Sequence, residues 1–363
     1  MNTSMRRMLY NNINNLIKII IFNLKKEAVM YDSIKIVLSE KDLNNEINFM
    51  EEIPCRIVVS GCSENKVVGY LRNMRVEVRG TTLVVEGSLT KWVLGNNYAK
   101  PLGIWEVRSG VKALSVALGV PIEKAVVQRL DVAFNFRVKH MPWLYMRRLL
   151  YSDGFYSAHI KKETLYFSKH DCQMVFYDKI AEMKSCKRTD DIKQGLEDFE
   201  DLHVLRYEFR FKKVKSIFGR TIRGEDLYTT SFCLLVLKKW YDCYMDIQKT
   251  YDIELSYCMF NSKKAFELAC VAYCMNQFNV YDMLEEAFIR RDISSKNKYD
   301  IKEVLAKAEN VGIDSLNAAS MIDELTSKIE HAYVKLRSRY DVAPERLERL
   351  NRWVDRGVTG MPS

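Results

Sequence analysis

The chain has 363 residues, 48% of them hydrophobic, which is enough for a sizeable core and, at about 150 residues per domain, for roughly two domains. Lysine and arginine outnumber the acids 56 to 47, and the net charge of +9 favours a polyanionic partner. Nine cysteines with no CxxC pair and no regular spacing argue against a disulfide framework or a zinc site, and read as reduced thiols inside a cell.

Residues 1–29 differ from the rest. Asn11–Phe22 is rich in asparagine and isoleucine, and its apolar run, broken by Lys18 and bounded by Asn23, is too short for a membrane span of about 20 residues. It has no small-residue cleavage site. Lys25-Lys26-Glu27, just ahead of Met30, can be encoded by a purine-rich ribosome-binding sequence, so this leader is expected to be a non-native extension with the natural product beginning at Met30, the alternative being a short amphipathic helix resting on the domain. No membrane partner is expected.

From Met30 to about residue 215 strands dominate. Met74-Arg75-Val76-Glu77-Val78-Arg79 alternates, Gly80-Thr81 turns, and Thr82-Leu83-Val84-Val85-Glu86 returns, which predicts a hairpin. A helix over about 106–119 should stop at Gly119 and Pro121. In the strand 127–137, period two sends Leu130, Val132, Phe134 and Phe136 to one face and Arg129, Asp131, Asn135 and Arg137 to the other. A second hairpin is expected from Thr164-Leu165-Tyr166-Phe167 and Met174-Val175-Phe176-Tyr177, with Tyr177 and Lys179 on one side. The strand 205–212 should bury Leu205, Tyr207, Phe209 and Phe211 and display Arg206, Glu208, Arg210 and Lys212. Past Gly224 the pattern turns helical, over 225–249, 262–277, 279–290, 299–309 and 316–339, with Ser262 as a cap and Gly312 as a break. No internal repeat, glycine-rich phosphate loop or HExxH is present.

If the polar strands pair in one sheet, Asp131, Glu208, Tyr177 and Lys179 can converge. The bland alternative is a solvated sheet face, on which arginines and acids form ordinary ion pairs such as Arg206 with Asp131. The chemistry is nonetheless coherent. Two carboxylates can bind a hard cation, a tyrosine oxygen beside it can attack a phosphodiester, and a lysine can lower the phenol's pKa or balance the phosphorane's charge.

The segments Met30-Tyr31-Asp32-Ser33-Ile34-Lys35-Ile36, Arg129-Leu130-Asp131-Val132-Ala133-Phe134, Tyr177-Asp178-Lys179-Ile180-Ala181-Glu182 and Leu205-Arg206-Tyr207-Glu208-Phe209-Arg210 occur in an order that resembles the filamentous-phage gene II/X family of rolling-circle replication initiators. A weaker likeness runs from Val84-Val85-Glu86-Gly87-Ser88 to Gly95-Asn96-Asn97, and the resemblance spans Met30 to about Gly219. It implies an enzyme that nicks one strand of an origin through a tyrosine, stays joined to the 5′ phosphate and leaves a 3′ hydroxyl for host polymerase. Tyr177 matches the nucleophile and Lys179 the lysine of the YxK motif. Asp131 and Glu208 lie in the flanking motifs and are assigned magnesium or manganese by their chemistry, and Glu182 completes YxKxxE as a further candidate ligand. Many rolling-circle nickases hold their metal on a His-hydrophobic-His strand, but His140, His159, His170, His203 and His331 are all well separated here.

The fold expected is α+β: a leader (1–29), an antiparallel-sheet nicking domain with flanking helices (30–223), and an all-helical domain (224–363) that binds DNA or a host factor. Arg129, Arg206, Arg210, Lys212 and Lys213 are the expected DNA contacts, and Trp143 to Arg148, Lys215, Arg220 and Arg223 interleave further basic and aromatic groups. The partners would be double- and single-stranded origin DNA with a host helicase and polymerase, in the cytoplasm of a bacterial host. Two rivals remain: a non-catalytic regulator gripping single-stranded DNA, and a structural protein whose polar strand faces are ion-pair ladders.

Overall fold

The computed structural model describes residues 31–338 except 45, 99, 161–162, 187–192, 194, 198, 200, 251–259 and 310–320. The leader and the break at Gly312 lie outside the described residues. The chain is α+β, with a ten-stranded antiparallel sheet and a helical C-terminal region. The strands are β1 (Tyr31–Ser39), β2 (Val58–Ser63), β3 (Lys66–Leu71), β4 (Met74–Arg79), β5 (Thr82–Ser88), β6 (Val126–Val138), β7 (Leu149–Tyr151), β8 (Tyr156–Ile160), β9 (Thr164–Ser168), β10 (Cys172–Asp178), β11 (His203–Phe211) and β12 (Gln248–Lys249). The sheet order is β2-β3-β4-β5-β1-β6-β11-β10-β9-β8, and β7 pairs separately with β12.

Contacts divide the described residues into two compact units. The first takes in 31–134, 209–239 and 333–338. Its β4–β5 hairpin closes with Arg79 opposite Thr82, and Gly80 at φ 52° supplies the left-handed conformation this tight turn requires. Ile34, Ile36, Leu38, Val76, Val78, Leu83 and Val85 form one apolar face. The helix Ile104–Leu118 ends at Gly119 as its sequence predicts, and a Cβ on its Gly110 would meet Val93 Cγ2 at 2.6 Å, so glycine lets the helix Leu89–Leu94 approach.

On the opposite face Glu77 is held by Arg75 (2.5 Å), Arg79 (2.7 Å) and Lys66 (3.3 Å). Burial raises its pKa, but the hydrogen bonds from Arg75, Arg79 and Lys66 outweigh burial and bring it from an ordinary 4.5 to about 2. A depressed folded-state pKa contributes stability that is present above about 4.5 and is lost as pH falls towards 2. Glu77→Gln is therefore expected to flatten the fall in melting temperature between pH 4.5 and 2, followed by thermal unfolding. An unchanged slope would contradict the ion-pair account.

The second unit takes in 135–208 and 240–332. The β9–β10 hairpin pairs Thr164 with Tyr177 and Ser168 with Gln173, as alternation predicts. Phe176 stacks on Tyr207 (4.5 Å between centroids, 5° between planes), Tyr207 stacks on Trp240 (5.1 Å), and the Tyr207 hydroxyl donates to the Trp240 carbonyl (2.9 Å). A smaller core joins Leu150 and Tyr151 to Ala272, Met275, Tyr281, Leu284, Leu305 and Ala308, from the helices Lys263–Gln277, Val280–Ile289 and Ser295–Glu309. Ser262 caps the first of these by accepting from Ala265 N, as expected.

Two expectations need correction. The helix forecast for 225–249 is shorter: Gly224–Tyr228 is a 3-10 turn, the helix runs Thr230–Met245, and Gln248–Lys249 is a strand. The cause is local, because Asp226 accepts from Arg223 N (2.8 Å) and the Thr229 hydroxyl caps a fresh start at Phe232 N. The second correction concerns β11, which is buried on both faces from Val204 to Phe209. Arg206 and Glu208 are not displayed to solvent. Alternation reports which side chains share a face, whereas coverage depends on what packs over a central strand.

Candidate active site and its family

The same three-residue device appears in each unit. On β6, Arg129 and Asp131 are two residues apart, so the pleat turns both to one face, and the guanidinium grips the carboxylate with two hydrogen bonds (2.9 and 2.6 Å). On β11, Arg206 Nε lies 3.6 Å from Glu208 Oε2, and Arg206 Nη1 donates to Asn135 Oδ1 (3.2 Å). Asp131, Arg206 and Glu208 are each 5% exposed or less, and a charge so buried must be paired. Burial lowers the Arg129 pKa, but the hydrogen bonds to Asp131 outweigh it and keep this guanidinium charged.

Tyr177, half-buried near the end of β10, donates from its hydroxyl to Glu208 Oε2 (3.3 Å). Glu208 thus meets the phenol through a hydrogen bond and the Arg206 guanidinium through an ion pair. Lys179 is not on the strand as alternation suggested. β10 ends at Asp178, whose carboxylate accepts from Ile180 N (2.9 Å) and Ala181 N (3.0 Å) and so starts the helix Lys179–Ser185. Lys179 is buried on its first turn, with Nζ 2.7 Å from Glu182 Oε2, three residues on along the same helix face.

Strand-face arithmetic missed Asp32. Tyr31 pairs with Val132 and Ile34 with Leu130, so Asp32 and Ser33 together stand opposite the single residue Asp131. Asp32 is buried, accepting from the Ser88 hydroxyl (2.7 Å) and facing Asn97 Nδ2 (3.3 Å). All three residues lie in the motif segments already noted, which was the available signal.

Among the described residues no group of three or more His, Cys, Asp or Glu is arranged to hold a metal ion. Magnesium asks for less than that, because it keeps waters and substrate phosphates in its shell and takes one or two carboxylates from the protein. The hard, buried oxygens of Asp131 in the first unit and of Glu208 in the second each fit that demand in kind.

Lys212 and Lys213 are exposed, while Arg129 and Arg210 are half-buried. Arg206, fully buried, has no surface to offer a phosphate. Other basic residues serve local structure: Arg220 pairs with Asp226 (3.0 Å), Arg223 donates to the Lys124 carbonyl (2.6 Å), and Arg147 lies over the Trp143 ring (5.3 Å).

Residues 30–219 match the model of one protein family, the N-terminal region of the replication-associated proteins of phage gene II type. The chain belongs to this family. The match covers just over half of the sequence and contains every residue of the Tyr177 group, of the Arg129–Asp131 pair and of the Asp32 cluster. No curated protein and no solved structure matches. Membership of the gene II family makes this a replication-associated protein of phage type, with DNA as its partner. The match stops short of the helix Thr230–Met245 and everything beyond it. No described helix is long and apolar enough to cross a membrane.

Proposed function

We propose that the chain initiates rolling-circle replication by nicking one strand of its origin, with Tyr177 as the nucleophile. The observation that carries this is the Tyr177–Glu208 hydrogen bond (3.3 Å), which ties the one half-buried phenol in the YxK motif to a buried carboxylate inside the family-matched segment. Tyr177 Oη would attack the scissile phosphorus and lose its proton to solvent. The bond from phosphorus to O3′ would break, O3′ gaining a proton as a free primer end and the 5′ phosphate remaining on the tyrosine. Rejoining reverses these steps, which makes the nickase also a strand transferase.

Asp131 and Glu208 are the carboxylates that would hold magnesium or manganese, which when bound supplies positive charge to the phosphate oxygens. Lys179, as buried as Arg206 and ion-paired with Glu182, would contribute its positive charge without touching the phosphate. Glu182, engaged with Lys179 at 2.7 Å, suits a positioning role better than the ligand role first expected of it. Residues 30–223 would form the nicking module in the bacterial cytoplasm, with 224–363 reading duplex origin DNA or binding a host helicase, and host polymerase extending the 3′ end.

The test is a supercoiled plasmid carrying the chain's own origin. Conversion to open circles with magnesium or manganese, abolished by a chelator, is the expected result. Tight binding without nicking would favour the regulator. If Lys212 and Lys213 hold phosphates, changing both to Ala should flatten the salt dependence of origin binding by roughly one unit of log–log slope per lost contact. An unchanged slope in fluorescence anisotropy would place the DNA elsewhere.

A further inference from the structure

The strand register of the first unit lays a row of side chains across five strands. Directly opposed residues in antiparallel strands share a face, and Tyr70 stands opposite Arg75, Arg75 opposite Glu86, Glu86 opposite Lys35, and Lys35 opposite Arg129. Four strand spacings carry this row about 19 Å from Arg129 on β6 to Tyr70 on β3. Beside it, Lys66 stands opposite Arg79.

The charges on this face do not balance. Among the described residues of these five strands, Lys35, Lys66, Arg75, Arg79 and Arg129 share this face with Glu77, Glu86 and Asp131. A solvated sheet face usually sets opposite charges across from each other, because like charges directly opposed are destabilising. Here Lys66 and Arg79 are opposed, and both draw on Glu77, which Arg75 also occupies. One buried carboxylate thus serves three cations. Glu86 similarly lies between Lys35 (4.0 Å) and Arg129 (3.7 Å). Arg79 stays 68% exposed and Tyr70 48% exposed, so charge and an aromatic ring are both presented outward.

A surface with excess fixed cations, held in line by a buried acid and ending on an exposed ring, is complementary to a polyanion that also carries flat bases. We propose that this face of β3, β4, β5 and β1 is a track for single-stranded DNA, leading outward from the Arg129–Asp131 pair. Lys66, Arg75, Arg79 and Lys35 hold successive phosphates, and a base stacks on Tyr70. The inference rests on the nicking function and adds to it a surface of the first unit that holds single-stranded DNA.

The probe is a fluorescent oligothymidylate of about 20 nucleotides, titrated with the full chain at several salt concentrations. Lys66→Gln with Arg79→Gln leaves the Arg75–Glu77 pair intact, so the fold should survive, which thermal unfolding checks. This double variant should bind at least about tenfold more weakly at low salt, with the log–log salt slope reduced by about 1.4, or about 0.7 per lost contact. Tyr70→Ala should lose about fivefold or more with the slope unchanged, since stacking carries no counterion release. Wild-type affinity and slope in both variants, alongside wild-type protein that nicks its origin plasmid, would overturn the track alone. Wild-type protein that fails to nick would instead defeat the function on which the track rests.

Discussion

Tyr177→Phe is expected to bind origin DNA as tightly as the unaltered chain and to nick none of it. The substitution removes one oxygen and leaves the ring where β10 holds it, opposite Thr164. The phenol's hydrogen bond to Glu208 is lost, at a cost of about 1 kcal/mol in stability, too little to unfold the chain. Nucleophilic catalysis has no substitute for the missing oxygen, so the loss should reach the detection limit of the plasmid assay. A nucleophile on a strand is oriented more tightly than one on a loop, and Tyr177, the nucleophile proposed, is the penultimate residue of β10, ahead of a helix. Nicking by Tyr177→Phe at a tenth or more of the normal rate would remove Tyr177 from the mechanism. Tyr207 would not replace it. Burial holds its hydroxyl well above the ordinary pKa, and that hydroxyl donates to the Trp240 carbonyl.

Replacing Asp131 or Glu208 should cost at least about 100-fold in nicking rate, since each is asked to hold charge that stabilises the transition state. The alanine variants carry a second effect. Glu208→Ala removes the carboxylate paired with the buried Arg206 guanidinium, which Asn135 alone does not neutralise, and Asp131→Ala takes from Arg129 its bidentate partner. Asp131→Asn and Glu208→Gln keep the shape and reduce this cost, so rates are best compared with melting temperatures in both sets. Near-normal rates in both isosteric variants would exclude these carboxylates. A rate restored by raised magnesium in either would instead support a ligand role.

Much of the architecture was legible because its signals are local. Gly80-Thr81 between two alternating runs specifies a hairpin, and Gly119 with Pro121 ends a helix wherever it packs. The polar grammar of Arg129-Leu130-Asp131 and Arg206-Tyr207-Glu208 also predicted which side chains share a face. What escaped depends on neighbours. Coverage of Arg206 and Glu208 is a property of the sheet around β11, not of β11 itself. Asp32 reaches its position opposite Asp131 through a register shift, and period-two counting cannot foresee an extra residue. Alternation carries Lys179 onto the strand because Asp178 reads as one more strand residue, although an aspartate just ahead of Lys179-Ile180-Ala181 is equally a helix N-cap. β2 carried no face pattern, and all its residues are exposed.

The central claim is that Tyr177 becomes covalently joined to the 5′ phosphate at the nick. The most direct measurement is peptide mapping of the wild-type protein after reaction with an origin oligonucleotide labelled 3′ to the cleavage point, resolved on a denaturing gel. The account predicts one labelled protein band, present with magnesium, absent in Tyr177→Phe, and mapping to the peptide that contains Tyr177. A labelled band that persists in Tyr177→Phe, or that maps to Tyr166 or any other tyrosine, would contradict it.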